Sequence, residues 1–405
     1  MILKVRFETY KINIETLFMF NGSTFAYKQN LIDDSMKNQM LALAFLFSGS
    51  AVGGELSIRE IIDTYYKDVP IYVGVSGHQK NFGTISDSIL NKEFGYITPV
   101  NDFKQSYIHP VFNRWKWERS DAWIQSAIKN NQLIRIHGPI SPQCSPWTRE
   151  DNRTPEELSR MLDEFFIALC SRYNKDECVK WIDVVNETIA VKDIKDPLGN
   201  VNEGDWFAPR KGNDKWENPW TIIGFDESSD IKVPLYINQA FEIAGKYANN
   251  KKFLINQHGA FEEKVWEKMK ELVVYLRNKG HRVDAVGWQA HIDTGWEKIP
   301  GNLERLSAFI DWCHSNNLEF HITEYNVWLK NASDGTETDQ ANTTETVFSL
   351  LHSKRRSGVV GFNIWGVIDS DTANPDWYGA LWKNNGAPKE SVARIKKVLI
   401  DGVSK

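Results

Sequence analysis

Cysteine is scarce: 405 residues carry four, Cys144, Cys170, Cys178 and Cys313. Their spacing matches no metal-ligand pattern, and four are too few for a disulfide-built scaffold of this length. No apolar stretch approaches the roughly 20 residues that cross a bilayer. Positive charge is not in excess: 48 Lys and Arg against 53 Asp and Glu leave a net charge of −5 with no long basic run. Nucleic acid and membrane surfaces therefore have no electrostatic reason to bind. The local signatures of zinc hydrolysis, phosphoryl transfer, dithiol redox and serine esterases (H-E-x-x-H, the P-loop, C-x-x-C and G-x-S-x-G) do not occur. Internal repeats, low-complexity tracts and a second-domain linker are missing as well.

Tryptophan is abundant, with 16 in the chain. An indole offers a broad apolar face and one donor. That suits a large core, and it equally suits the C–H face of a sugar ring when the indole sits in a loop. Eight apolar runs follow one another from residue 71: IYVGVS (71–76), YITPV (96–100), LIRIHG (133–138), WIDVVNE (181–187), KFLINQ (252–257), AVGWQAH (285–291), EFHITE (319–324) and VVGFNIWG (359–366). Near-continuous apolar runs fit parallel strands covered on both faces. Amphipathic segments separate them, among them 154–174, 261–280, 302–317 and 343–358. The first opens on Thr-Pro-Glu-Glu, a cap followed by proline at the first helical position. The second closes on a glycine. Alternation counted to eight predicts an α/β fold of the (β/α)8 TIM-barrel type. A doubly wound open sheet is disfavoured, because no glycine-rich phosphate turn follows the first strand.

Ahead of the barrel, expected over 60–405, residues 1–59 read as an N-terminal extension. From Met36 it runs MKNQMLALAFLFSGSAVGG. A lysine, an apolar stretch from Met40 to Phe47 and a small-residue stretch are the parts of a secretory signal. Segment 36–54 is accordingly expected to direct export, with Met36 as the true start. An ordinary apolar helix is the competing reading. Two long connections, 188–235 and 366–382, follow strand C-termini, where barrel active sites form. They carry Trp206, Trp216 and Trp220, and Trp377, Tyr378 and Trp382.

The chemistry rests on carboxylates. Glu187 ends the fourth run and Glu324 the seventh, so on a barrel both would project at the same mouth. Cleaving a glycosidic bond needs two carboxyl groups, one protonated and one ionised. A lone strand-end Glu is more often a solvated loop residue; two at the ends of strands four and seven are not so easily dismissed.

WIDVVNETI and HITEYNV resemble the two catalytic strands of glycoside hydrolase family ten, the retaining β-1,4-xylanases. The resemblance runs over roughly residues 60–400, through YVGVS, FGYITPVNDFK, IRIHG, GWQAHI, GFNIWGVID and APKESVARIKKVL. It implies that Glu187 is the acid/base and Glu324 the nucleophile. It implies that Asn186 binds the sugar 2-hydroxyl, that His291 hydrogen-bonds the nucleophile and that Gln289 sits beside the acid/base. Asn101 and Lys104 would hold the next sugar, and His137 would belong to the third-strand motif. Trp365 would floor the cleavage subsite, with Trp377 as a second indole.

The chain departs from the family in its sugar-gripping shell. Ser141-Pro142 replaces a Trp-His pair, Val100 a glutamate, Asn326 an aspartate and Gln105 an aromatic. The fifth strand reads INQHG where the family is acidic and Tyr-containing. Cys144, Pro146 and Trp147 are candidates for replacement contacts. The expectation is a secreted, monomeric, endo-acting glycosidase that takes a polysaccharide, xylan or a related β-glycan, and needs no metal and no cofactor. It would work by double displacement, with the two carboxyl groups about 5–5.5 Å apart. The alternatives are a same-family hydrolase of another or substituted β-glycan, and a carbohydrate-binding barrel with weakened catalysis.

Overall fold

The structure, a computed structural model, describes residues 18–20, 23–25, 55–69, 71–150, 152–191, 202–207 and 218–403. The chain divides into two units, Met1–Glu55 and Leu56–Val403. In the first, Phe18–Phe20 pairs antiparallel with Ser23–Phe25. The signal-like segment 36–54 lies outside the described residues.

The second unit is a closed parallel barrel. Its strands are β1 (Ile71–Gly77), β2 (Tyr96–Pro99), β3 (Leu133–Ile136), β4 (Val179–Asn186), β5 (Lys252–Gln257), β6 (Ala285–Trp288), β7 (Glu319–Trp328) and β8 (Val360–Ile364). Each pairs in parallel with the next, and β8 pairs with β1, which closes the ring. Val75, Ile134, Ile136, Val184, Val185, Leu254, Ile255, Val286, Phe320, Ile322 and Phe362 are essentially without exposure. Burial on both strand faces is why these runs do not alternate with polar residues.

Helices cover the ring, and local sequence sets their ends. The helix Pro155–Tyr173 starts at a capping box made by Thr154 and Glu157 with Pro at its first turn. Its buried stripe, Leu158, Leu162, Phe165, Phe166 and Leu169, follows a 3.6-residue period. Each such side chain contributes about 1.5–3 kcal/mol on burial, so Phe165→Ala would loosen this wall. The helix expected from 343 begins earlier, as Glu337–Ser353, because Thr336 and Asp339 form a capping box there. Its first turn is polar, so apolar periodicity alone does not reveal it.

Irregularities collect at the C-terminal mouth. The β4–β5 register shifts between Asp183 and Val185, and the β7–β8 register between Ile322 and Tyr325. Such shifts bend a strand and re-aim its side chains; here one lies just before Glu187 and the other spans Glu324. The sixth run is interrupted: β6 stops at Trp288, and His291–Asp293 resumes against Asn326–Trp328 of β7. Among the described residues no helix is long and apolar enough to cross a membrane.

Candidate active site

Glu187 is one residue past β4, with a left-handed backbone, φ +59°. A non-glycine residue in that region is strained and must be held by its surroundings. The holding groups come from β5. The Glu187 N–H donates to the Asn256 carbonyl at 2.9 Å. The next two backbone N–H groups, of Thr188 and Ile189, both donate to Gln257 Oε1 at 3.1 Å, and Gln257 Nε2 returns to the Ile189 carbonyl at 2.8 Å. The strained step thus aims the Glu187 side chain into the mouth. Glu324 enters from β7, within its register shift, and both carboxylates are buried.

An amide chain joins the pair. Gln289 Nε2 donates to Glu187 Oε1 at 3.2 Å and to Asn186 Oδ1 at 3.0 Å. Asn256 Nδ2 donates to the same Asn186 oxygen at 2.8 Å and to Glu324 Oε1 at 2.9 Å. Thr323 fixes the other end of Asn256, donating to its Oδ1 at 2.6 Å. Asn186 Oδ1 therefore accepts twice. Its amide nitrogen makes no hydrogen bond to any described residue and stays available to a ligand.

Burial by itself would raise the Glu324 carboxyl, but His137, His291 and Arg135 outweigh it and hold it down at about 2. His291 Nε2 lies 3.3 Å from Glu324 Oε2. Its ring is fixed from behind. Asn326 Nδ2 donates to the carbonyls of Trp365 (2.8 Å) and Gly379 (3.0 Å), which leaves Asn326 Oδ1 to accept from His291 Nδ1 at 2.9 Å. With Nδ1 carrying a proton, Nε2 attracts ionised Glu324 only when it carries one too. On the opposite side, His137 Nδ1 lies 3.6 Å from Glu324 Oε1 and 2.9 Å from Asp183 Oδ2. Asp183 is in turn held at 2.7 Å by the fully buried Arg135.

Lys104 is buried beside these groups. Desolvation lowers its ammonium pKa against the pull of Glu187, Glu324 and Asp183, and its Nζ donates to Gln143 Oε1 at 2.7 Å. Asn101 is half-buried, and its carbonyl accepts the Lys104 N–H at 2.9 Å in the turn that carries Lys104 inward. Trp365 forms a wall against which His137 and His291 stand edge-on, at 5.0 and 6.5 Å. Trp377 does not touch the carboxylates. It packs edge-on against Trp328 at 4.9 Å, and Trp328 stacks on His291 at 5.7 Å.

Several residues that shape this mouth carry no expectation from the sequence. Asn256 and Gln257 are the clearest: a polar pair ending an apolar strand is the same signal that singles out Asn186 and Glu187. Asp183 and Arg135 read as interior strand residues, and their pairing across β3 and β4 is visible only in three dimensions. The rebuilt third-strand loop needs a correction. Trp147 turns away, donating to the His109 carbonyl at 2.9 Å and packing against Phe112, while Pro146 is exposed. Gln143 is the residue of this loop that reaches the site. Ser141 is buried, and its carbonyl accepts the indole N–H of Trp220 at 3.1 Å. Among the described residues no group of three or more His, Cys, Asp or Glu is placed to hold a metal ion.

A parallel barrel whose mouth holds two carboxylates in unlike surroundings has what glycosidic bond cleavage requires, and its relatives make the protein a glycoside hydrolase. Residues 61–398 match the model of glycosyl hydrolase family 10, and the chain belongs to that family. Endo-1,4-beta-xylanase A of Caldicellulosiruptor saccharolyticus is 29% identical over 364 residues, covering 84% of this chain and 95% of the relative. The crystal structure of endo-1,4-beta-xylanase from Caldicellulosiruptor owensensis is 26% identical, covers 84% of this chain and 99% of its own, and superposes with a TM-score of 0.65. A mutant structure in complex with xylotriose is 25% identical over 84% of this chain and 99% of its own, with a TM-score of 0.66.

Proposed function

We propose that the protein is an endo-acting β-1,4-xylanase that cleaves by double displacement with retention. The observation that carries this reading is the amide chain: Glu187 and Glu324 sit at two ends of one hydrogen-bonded relay, and His137, His291 and Arg135 act on Glu324. Glu324, ionised, attacks the anomeric carbon while Glu187 protonates the leaving oxygen. The C–O bond to the leaving sugar breaks as the ester to Glu324 forms. With the neighbouring charge consumed in the ester, Glu187 turns from acid to base and takes a proton from water, which attacks the same carbon and frees Glu324. The unpartnered amide nitrogen of Asn186 meets the sugar 2-hydroxyl, a bond worth most in the transition state. Asn101, Lys104, His137, Gln289, Trp365 and Trp377 complete the sugar-binding surface. The names of the relatives and the xylotriose complex support xylan as the polymer.

Product analysis on xylan, wild type beside Glu324→Ala, tests this reading. Wild type should release short oligosaccharides of retained β-configuration at early times, and the variant none. An inverted first product would sink the mechanism. Highest activity on a different β-glycan would move the substrate. One observation favours a second reading, a substituted xylan: Gln143 takes up the Lys104 ammonium in a loop that lacks the family's Trp-His pair. Export by the segment from Met36 and action as a monomer complete the proposal. A mature N-terminus before residue 40 would refute the first, and sedimentation as a dimer the second.

A further inference from the structure

Tyr378 lies in the loop after β8. Its backbone is left-handed, φ +48° and ψ 37°, and the residue is 54% exposed. An aromatic residue in that conformation is strained, and an exposed ring gains nothing from core packing to offset it. The fold nevertheless enforces the turn. Three consecutive carbonyls are tied down: Trp377 O accepts the Leu329 N–H at 2.9 Å. Tyr378 O accepts Gln340 Nε2 and Lys389 Nζ, each at 2.7 Å. Gly379 O accepts Asn326 Nδ2 at 3.0 Å. Gln340 and Lys389 are buried, and Lys389 is further held at 2.7 Å by Asp369, which also accepts the Ala380 N–H at 3.2 Å. A Cβ at Gly379 would meet Trp328 at 2.8 Å, so only glycine lets the turn press onto that indole.

This turn is continuous with the reacting centre. Asn326, which ties Gly379, also fixes His291, and Trp328 stacks on the same imidazole. Lys330 Nζ lies 4.6 Å over the Trp328 ring and 4.9 Å over that of Trp377, bracing both indoles. Strain held this firmly beside a cleft, with a flat apolar face turned outward, is the arrangement of a ligand clamp. We propose that Tyr378 is a sugar platform: its ring stacks on a pyranose of the polymer beyond the sugars gripped at the cleavage point, on the side of the cleft where the β7 and β8 loops meet.

The proposal rests on the xylanase reading, and one experiment separates the two. KM and kcat are measured for Tyr378→Gly, Tyr378→Phe and wild type on long xylan and on a short xylo-oligosaccharide, together with thermal melting. Glycine relieves the backbone strain, so Tyr378→Gly should melt at or above the wild-type temperature. Its KM should nonetheless rise about threefold to tenfold on long xylan, and by less on the short substrate. Tyr378→Phe keeps the ring face and should stay within about twofold of wild type. An unchanged KM in Tyr378→Gly overturns the platform while leaving the xylanase reading intact. So does a lowered melting temperature with equal losses on both substrates, the mark of a structural role. A wild-type enzyme inert on every xylan would overturn the xylanase reading and the platform with it.

Discussion

Strand β7 carries two buried glutamates, Glu319 at its start on the N-terminal side of the barrel and Glu324 midway along it at the mouth. The carboxyl of each is pushed down to about 2, and in each case charged and donating neighbours overcome the upward push of burial. Titration alone does not tell them apart. Their partners do. Glu319 Oε2 accepts Trp181 Nε1 at 2.8 Å and His321 Nε2 at 2.9 Å, and Lys252 closes on Oε1. It is saturated, with no second carboxylate beside it. Glu324 has one short bond, from Asn256, and longer approaches from His291 and His137. It also shares a hydrogen-bonded relay with Glu187. A depressed carboxylate closed off by its partners holds a fold together; one left partly open toward a second carboxylate can react. The N-terminal end of a parallel barrel serves stability and the C-terminal end serves chemistry, and the six residues Glu319–Glu324 of one strand span that contrast.

The sharpest way to break this contrast is to remove each carboxyl group. Glu187→Ala should lower kcat/KM on xylan by about 10²–10⁴-fold, and Glu324→Ala by at least as much, with urea unfolding close to wild type. Glu319→Gln should do the reverse. Unsettling a buried ion-paired group costs about 3 kcal/mol, reduced because the Lys252 side chain is 43% exposed and screened. The folded fraction should turn over normally. Equal rate losses in Glu319→Gln and Glu324→Ala would erase the distinction.

Asn256→Ala takes one donor from Glu324 and one from Asn186. Losing a hydrogen bond to a charged group should cost about tenfold to a hundredfold in kcat, visible in initial rates on xylan at saturation. No change would mean that the relay is only scaffolding. Acidity gives the smallest effects. In the folded protein the Glu319 carboxyl is held down at about 2, against 4.5 for an ordinary glutamate. Its stabilisation is present above the unfolded value and is lost as pH falls through the folded one. The stability gap between wild type and Glu319→Gln should therefore narrow from about pH 4.5 to about pH 2. In His291→Asn, Glu324 loses a cation, its carboxyl titrates higher, and the acid limb of kcat/KM should move to higher pH. An unmoved limb would assign the depression to His137 and Arg135 alone.

Much of this was open to reading in the sequence. Eight apolar runs match eight strands because a parallel strand is buried on both faces and shows it in composition. Glu187 and Glu324 stand out because a carboxylate at the end of such a run breaks its pattern. Asn256 and Gln257 break the β5 run in the same way, but what they hold, Glu324 and the backbone after Glu187, lies on other strands. Trp147 looked like a sugar contact because it is aromatic and in the right loop; its indole is consumed by the His109 carbonyl. Trp328 gave no signal at all, since its meaning depends on His291 lying beneath it.

By itself, the sequence determined the alternation of strand and helix, the helix caps, and which strands end on groups able to do acid–base chemistry. Those are local properties, written in periodicity and in residue type. Tertiary structure decided the rest. The ring sets β4, β5, β6 and β7 side by side, so that three amides, Asn186, Asn256 and Gln289, join Glu187 to Glu324 of β7. It buries Glu319 and Glu324 alike but gives them different partners, and it fastens Tyr378 in a conformation that its own residue type disfavours. A hydrogen bond across the barrel has no period along the chain, and its energy depends on a distance that exists only once the ring has closed.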